Sequence, residues 1–270
     1  MKTGDLKVVV QEKYGAIAKQ SLLAGEAKLS CCGTSGCCEE IGFSMIGDEY
    51  NTLEGYNPDA DLGLRCGLPT QFADLKTGDH VLDLGSGAGN DCFVARSIVG
   101  ETGKVIGLDL TNEMVAKAKN NNRKLGYTNV EFVQGDIEKM PFSDNHFDVV
   151  VSNCVLNLVS NKHVAFAEIM RVLKPGGHFC VSDVVTRGEL PEILRADAEM
   201  YVGCVSGAIT REKYIDIINN NGFENITIHK LSHISIPDNI LAKYMSEAEI
   251  IDFKNGETGI FSITVSGYKL

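Results

Sequence analysis

The chain has 270 residues, of which 44% are hydrophobic, and its formal net charge is −11. This length fits one large domain, or one domain with a small extension. The acidic charge and the lack of tryptophan argue against a nucleic-acid partner, because a phosphate backbone would be repelled and few rings could stack on bases. No apolar run approaches the roughly 20 residues of a membrane span, so we expect no membrane partner.

The first 70 residues are predicted to be a helix followed by an irregular segment. Apolar residues recur at helical spacing over 7–24, and this stretch lacks the apolar core of a secretory signal. Residues 25–70 are rich in Gly, Cys, Asp and Asn, and four of the nine cysteines lie in SCCGTSGCCEE at 30–40. We expect a cytoplasmic protein, where reduced thiols serve metal, metalloid or redox chemistry.

From residue 79 onward, short apolar runs alternate with helical patterns. Strands are predicted at 79–85, 104–110, 130–136, 147–155 and 177–185, and helices at 90–99, 111–126 and 162–177. This alternation predicts an α/β fold with a doubly wound, mostly parallel sheet. A helix at 209–223 and alternating strands at 224–236 and 259–270 predict a small C-terminal α+β extension. We therefore expect three segments, 1–70, 71–190 and 191–270.

A glycine-rich loop connects the first predicted strand to the helix that follows it. The segment VLDLGSGAGND (81–91) contains Gly85, Gly87 and Gly89. Glycines let the backbone approach a ligand, and the N-terminus of the helix faces that ligand. The dinucleotide fingerprint has its third glycine one place later, where Asn90 stands, which argues against a nicotinamide-dependent oxidoreductase.

Polar side chains mark the ends of the predicted strands. Asp83 precedes the loop, and Asp109 ends the next strand, where a carboxylate can bind both ribose hydroxyls. Asp136 follows the third strand, and Ile137 beside it could pack on adenine. Asn153 is followed by a cysteine at the end of the fourth strand. Because ligands bind at this edge of an open α/β sheet, we expect these residues to share one site.

These motifs together resemble those of the class I S-adenosylmethionine-dependent methyltransferases. The matching succession is D-L-G-S-G-A-G, L-D, G-D-I-E, F-D-V-V-V-S-N and V-L-K-P-G-G-H, over about residues 70–185. The resemblance implies that S-adenosylmethionine is the methyl donor and binds within 71–190. The cofactor-binding residues that we predict are Asp83, Gly85, Ser86, Gly87, Gly89, Asp109, Met114, Asp136, Ile137 and Asn153.

The methyl acceptor must be held close to the methyl group, and cysteines are the candidates for this task. No histidine or carboxylate stands in a place suited to general-base work. Cys66, Cys154 and Cys204 each lie beside a glycine or at a strand end, where a side chain can reach a cleft. Cys92 and Cys180 are expected to be small buried core residues.

The contexts LGLRCGLPT, VSNCVLNLV and MYVGCVSGAIT resemble those of the arsenite methyltransferases. The paired cysteines upstream, Y-G-A-I-A near the start and the tail G-I-F-S-I-T-V-S-G-Y-K extend the resemblance over nearly the whole chain. It implies that Cys66, Cys154 and Cys204 hold trivalent arsenic as thiolates, and that residues 191–270 form an arsenic-binding substrate subdomain.

The same resemblance implies a fourth functional cysteine near the N-terminus. Its match is ambiguous among Cys31, Cys32, Cys37 and Cys38, and we take Cys32 as the working choice.

The predicted reaction needs no protein base. Trivalent arsenic is soft and favours thiolate ligands, and its lone pair would attack the methyl group. Methylation formally oxidises arsenic, and a thiol pair could return two electrons by forming a disulfide. We expect arsenite or trivalent methylarsenicals as substrates, a thioredoxin- or glutathione-type reductant as partner, no tightly bound metal, and a monomer.

Two alternatives stay open. A methyltransferase acting on a carbon or nitrogen of a small metabolite would have the same glycine-loop half. A thiol-rich metal-binding or sensor protein could use the fold as a scaffold. Its sharpest version is a zinc site in the CC-x4-CC stretch, but adjacent cysteines are awkward ligands for one tetrahedral ion and no second CxxC pair is present.

Overall fold

The computed structural model describes residues 3–26, 50–188, 207–234, 238–255 and 259–270. The predictions for Cys31, Cys32, Cys37, Cys38 and Cys204 lie outside these residues. Within the described ranges, no helix combines the length and the apolar character needed to cross a membrane.

Within the described residues, the strands are β1 (His80–Leu84), β2 (Lys104–Asp109), β3 (Val130–Gln134), β4 (Phe147–Asn153), β5 (Leu173–Arg187), β6 (Ile209–Thr210), β7 (Glu224–His233) and β8 (Gly259–Tyr268). They form one mixed sheet in the order β3-β2-β1-β4-β5-β8-β7, with β6 beside β5. Strands β1 to β5 are parallel, whereas β8 runs antiparallel to both β5 and β7. The predicted doubly wound, mostly parallel class is confirmed, and the C-terminal strands extend the same sheet.

Five of the described helices match predicted helices, and three further helices were not predicted. The helix that begins at Lys162 ends at Val172, so the predicted continuation to residue 177 is wrong. Pro175 disfavours helical backbone at the residue before it, and the chain joins β5 instead. Within the described ranges, the helices are α1 (Thr3–Glu26), α2 (Pro69–Phe72), α3 (Asn90–Val99), α4 (Asn112–Leu125), α5 (Lys162–Val172), α6 (Arg211–Asn220), α7 (Asp238–Leu241) and α8 (Glu247–Asn255), with 3₁₀ turns at Tyr50–Thr52 and Leu156–Leu158.

Apolar side chains on both faces of the sheet form the core. Leu82 of β1 belongs to a cluster with Phe166 of α5 and Tyr214 of α6. Val81, one position earlier, belongs to a cluster with Phe93 of α3. Successive strand residues point to opposite faces, so this alternation is what a strand covered by helices on both sides requires.

Helix α1 packs against α4 near the carboxyl ends of the parallel strands. Lys19 forms an ion pair with Glu113 at 3.0 Å. Gly15 lies so close to Glu113 that an added Cβ would be 3.4 Å from its carboxyl carbon. Elsewhere on α1, the Gln11 amide donates to the Leu110 carbonyl at 3.3 Å. The N-terminal helix therefore lies beside the edge of the sheet where ligands are expected.

Candidate active site

The glycine loop folds over the end of β2, and hydrogen bonds hold its backbone there. The N–H groups of Gly85 and Ser86 both donate to the Leu108 carbonyl, at 2.7 and 3.0 Å. Gly85 has a φ of +69°, and a Cβ there would lie 2.5 Å from a methyl group of Val155. Only glycine fits this position without strain. The loop backbone therefore stays close to the end of β4.

Asp109 links the loop to the end of β2. Its Oδ2 accepts from the Gly87 N–H at 2.9 Å, and its Oδ1 accepts from the Thr111 N–H at 2.8 Å. Burial raises the pKa of Asp109, and the two N–H donors oppose that rise. An ionised carboxylate has about four acceptor positions, so Asp109 keeps acceptor capacity for a ligand.

A cleft of about 1100 Å³, part of it open to solvent, lies along this edge. Of the residues that the structure describes, five acidic and two basic ones line the cleft, so its walls suit a ligand that carries positive charge. The acidic residues are Asp61, Asp91, Asp109, Asp136 and Glu138, and the basic residues are Lys7 and Arg65.

Helix α1 contributes a wall of the cleft that the sequence did not predict. Lys7, Val10 and Tyr14 line the cleft. The Lys7 ammonium lies 2.5 Å from Asp136 and 2.6 Å from Glu138. Burial works against the charge of Lys7, but hydrogen bonds and the charges of both carboxylates outweigh it and raise the pKa of Lys7. The apolar spacing over residues 7–24 predicted the helix, but such a pattern does not indicate which part of the fold the helix packs against.

Two of the three predicted arsenic-binding cysteines come together at the end of β4. Cys154 lines the cleft, and Cys66 lies in the same apolar cluster, beside Leu158, Val184 and Ala208. Both thiols are buried, with relative exposures of 4% for Cys154 and 2% for Cys66. Cys154 has a φ of +59°, in the left-handed region that side chains other than glycine rarely adopt. Backbone strain of this kind is concentrated at functional sites.

Most of the predicted cofactor residues line the cleft. They are Gly85, Ser86, Gly87, Asp109, Met114, Asp136, Ile137 and Asn153. Asp83 and Gly89 do not belong to the lining formed by the described residues. Asp83 is buried and accepts from the Cys92 thiol at 3.2 Å, and a Cβ at Gly89 would lie 2.7 Å from the Phe132 ring. Both residues therefore support the loop from beneath.

The two cysteines expected in the core are buried. Cys92 and Cys180 have no exposed surface, which confirms that expectation. Burial, followed by the charge of Asp83, raises the pKa of the Cys92 thiol well above its usual range. Burial alone raises the pKa of Cys180 to about 12. Both thiols therefore stay protonated at neutral pH and are poor ligands for a soft ion.

A buried carboxyl and phenol lie beneath the thiols, and the sequence did not predict them. Asp183 has no exposed surface and accepts from the Val184 N–H at 2.9 Å and from the Tyr214 hydroxyl at 3.2 Å. Burial raises the pKa of Asp183 to about 6, while the charge of Lys162 opposes that rise.

The two cysteines of the site contribute to the pKa of Tyr214. Burial raises the pKa of Tyr214 well above its usual range, with further contributions from Asp183 and then from Cys66 and Cys154. An acidic residue inside the apolar run FCVSDVV was the sequence signal that could have identified this pair.

The donor set of the cleft fits S-adenosylmethionine. The Ser86 hydroxyl is buried and has no hydrogen-bond partner among the residues that the structure describes. Met114 and Ile137 provide apolar surface, and Asp109 provides an acceptor beside it. For the described part of the chain, no group of three His, Cys, Asp or Glu side chains could hold a metal ion.

Comparison with known proteins identifies the family. The model of a methyltransferase domain matches residues 75–229, which is more than half of the chain. An arsenite methyltransferase from Halobacterium salinarum is 40% identical over 229 residues, covering 83% of this chain and 59% of that protein. One from Aquipseudomonas alcaligenes is 34% identical over 247 residues, covering 88% of this chain and 68% of that protein. The chain belongs to the arsenite methyltransferase family.

A solved structure of an arsenic(III) S-adenosylmethionine methyltransferase from Chlamydomonas reinhardtii has the same fold. It is 34% identical with a TM-score of 0.62, and the match covers 73% of this chain and 65% of that one. The class I methyltransferase fold expected from the motifs is therefore confirmed. The chain spans about three fifths to two thirds of the length of these relatives.

Proposed function

We propose that this member of the arsenite methyltransferase family transfers the methyl group of S-adenosylmethionine to trivalent arsenic held by cysteine thiolates. The observation that supports this most directly is that Cys154 lines the same cleft as the glycine loop and Asp109. A thiol-bound acceptor and a methyl donor would then share one cavity, and positioning of this kind is the main requirement of a methyl transfer.

On the donor side, S-adenosylmethionine would supply the methyl group as an electrophilic carbon, with its sulfur as the leaving group that keeps both electrons of the broken bond. Asp109 would accept hydrogen bonds from the ribose, and Met114 and Ile137 would contact adenine. The excess of acidic residues in the cleft favours the positive charge of a sulfonium. Asp83 and Gly89 would act indirectly by holding the loop.

On the acceptor side, Cys66, Cys154 and Cys204 would bind arsenic. In each exchange, a thiol proton leaves with an arsenic-bound hydroxide as water while an arsenic–sulfur bond replaces the arsenic–oxygen bond. The arsenic lone pair then becomes the new bond to the methyl carbon, so no side chain removes a proton in this step. Arsenic is formally oxidised by two electrons.

Two thiols would return these electrons to arsenic by forming a disulfide and releasing two protons. Cys32 is the working candidate for one of the two. A thioredoxin- or glutathione-type reductant would regenerate the thiols, and a reducing, cytoplasmic setting would keep them reduced. The net charge of −11 opposes self-association, and we propose that the protein works as a monomer.

The test is product analysis with matched cysteine variants. Reduced protein is incubated with arsenite, S-adenosylmethionine and a dithiol, and methylated arsenicals are separated and measured by mass spectrometry. Cys154→Ala should abolish product, whereas Cys180→Ala, a buried cysteine away from the cleft, should retain it. A wild-type protein that binds S-adenosylhomocysteine but yields no methylated arsenic would overturn the proposal and favour methyl transfer to a small metabolite.

A further inference from the structure

The side chain of Asn153 makes its hydrogen bonds to other parts of the protein. Its Nδ2 donates to the Gly67 carbonyl at 2.9 Å and to the Asp91 carboxylate at 3.2 Å. Its Oδ1 accepts from the Cys66 N–H at 3.2 Å. A carboxamide nitrogen has two N–H donors, and both are used here. Asn153 lines the cleft, but its donors are directed at protein groups.

The partners of Asn153 belong to two different parts of the site. Asp91 lies in the first turn of α3 and lines the cleft together with the glycine loop. Cys66 lies in the same apolar cluster as Cys154, and its Sγ is 3.8 Å from the Asn153 Oδ1, within reach of a weak S–H hydrogen bond. One side chain therefore connects the wall of the donor cleft to a candidate arsenic ligand.

The opposite side of the Cys66 segment is held by the sheet. The Ser262 hydroxyl of β8 donates to the Cys66 carbonyl. A Cβ at Gly67 would lie 2.5 Å from the Ser182 hydroxyl of β5, so the backbone at Gly67 is packed directly on that strand. With the segment fixed on β5 and β8, a change in the orientation of Asn153 alters the hydrogen bond to Cys66 rather than moving the whole segment.

We propose that Asn153 is a positioning residue that couples the methyl-donor cleft to Cys66. Occupation of the cleft orders Asp91 and, through Asn153, fixes the Cys66 thiol in place for the acceptor. By linkage, an acceptor bound at Cys66 strengthens donor binding by the same factor. This deepens the proposed function and rests on it, because it concerns how the two substrates of that reaction are brought into register.

Alkylation of the two thiols provides a direct readout. Iodoacetamide labelling of Cys66 and Cys154 is followed by peptide mass spectrometry, with and without saturating S-adenosylhomocysteine. Cys154 lines the cleft, so the ligand shields it directly in every variant and reports occupancy. Cys66 is absent from the lining formed by the described residues, so the ligand protects it through Asn153. In Asn153→Ala, the protection of Cys66 should fall by about tenfold while that of Cys154 persists.

The matched control is Asn129→Ala. Asn129 is another half-buried carboxamide that donates to two carbonyls, those of Gly100 and Gly103, at the opposite end of the sheet. Its replacement should leave the protection of both thiols unchanged. If Asn153→Ala does not fold, the labelling experiment uses Asn153→Asp. This variant keeps the acceptor for the Cys66 N–H but lacks both N–H donors of the carboxamide. It too should lose the protection of Cys66.

The inference is overturned if Cys66 stays protected in the Asn153 variants, or if Asn129→Ala removes the protection equally. Arsenic does not enter this measurement. A wild-type protein that fails to methylate arsenite would therefore refute the proposed function while leaving the labelling result to decide the coupling. In the methylation assay, Asn153→Ala should raise the KM for arsenite by about tenfold, more than it lowers kcat.

Discussion

Replacing Asp183 by Asn should change how the stability of the protein depends on pH. The carboxyl of Asp183 is fully buried beside Tyr214, and burial raises its pKa from 3.8 to about 6. Asn has nearly the same shape, can accept from the Val184 N–H, and can donate to the Tyr214 oxygen in place of the present bond. The substitution therefore removes the titration while keeping the packing.

The sign follows from the raised pKa. In the unfolded chain Asp183 releases its proton near pH 3.8, whereas in the native protein it keeps the proton up to about pH 6. The native state binds more protons over this interval, so its stability falls as pH rises and reaches a plateau above the native pKa. Each pKa unit corresponds to about 1.36 kcal/mol, so the loss amounts to about 3 kcal/mol. The Asp183→Asn variant has no such loss, and it gains about that much on wild type between about pH 4 and about pH 7.

Urea unfolding followed by circular dichroism measures this difference. The other buried carboxyls, such as Asp83 and Asp109, titrate in both proteins and cancel in the comparison. Asp216→Asn, at an exposed position on the same helix as Tyr214, is the control and should follow wild type at every pH. A difference between Asp183→Asn and wild type that stays constant within about 0.5 kcal/mol across this range would refute the assignment of a raised pKa.

Three further predictions concern the donor cleft. Asp109→Ala should weaken S-adenosylhomocysteine binding by about tenfold in calorimetry, and unchanged affinity would remove Asp109 from the ribose role. Gly85→Ala forces a Cβ to 2.5 Å from Val155 at a φ of +69°, so we expect a loss of about 1–3 kcal/mol in chemical unfolding, and wild-type stability would contradict the clash. Lys7→Met removes the ion pairs of α1 with Asp136 and Glu138, so S-adenosylhomocysteine should dissociate about threefold faster in stopped-flow measurements, while the free energy of unfolding changes by less than about 1 kcal/mol. An unchanged dissociation rate would show that α1 does not hold the ligand.

The sequence could predict the elements of the fold because local chemistry determines them. Apolar runs bounded by glycine identified the parallel strands, and the spacing of Gly85, Gly87 and Gly89 identified the loop. Asp109 was predictable because it ends the strand next to the loop. The motif did not distinguish residues that face the cleft from residues that support the loop. Gly89 is one of the supporting residues, because a Cβ there would lie 2.7 Å from the Phe132 ring.

Long-range contacts could not be predicted in the same way. Lys7 meets Asp136 across 129 positions, and neither residue type nor spacing identifies such a pair. Asp183 was hidden inside an apolar strand, and its partner Tyr214 comes from a helix 31 positions later. The hydrogen bonds of the Asn153 side chain likewise depend on how α3, β4 and the Cys66 segment meet, which the fold determines.

The polarity of the site changes from one end to the other, and this change matches the chemistry proposed for it. Five carboxylates of the described residues line the cleft, whereas Cys66 and Cys154 lie in a cluster with Leu158, Val184 and Ala208. Arsenite is uncharged at neutral pH, so it can enter the apolar end without the cost of burying a charge. A pentavalent arsenic oxyanion would meet both that cost and the repulsion of the carboxylates. The same arrangement therefore favours trivalent arsenic over a pentavalent oxyanion as the occupant of the thiol end.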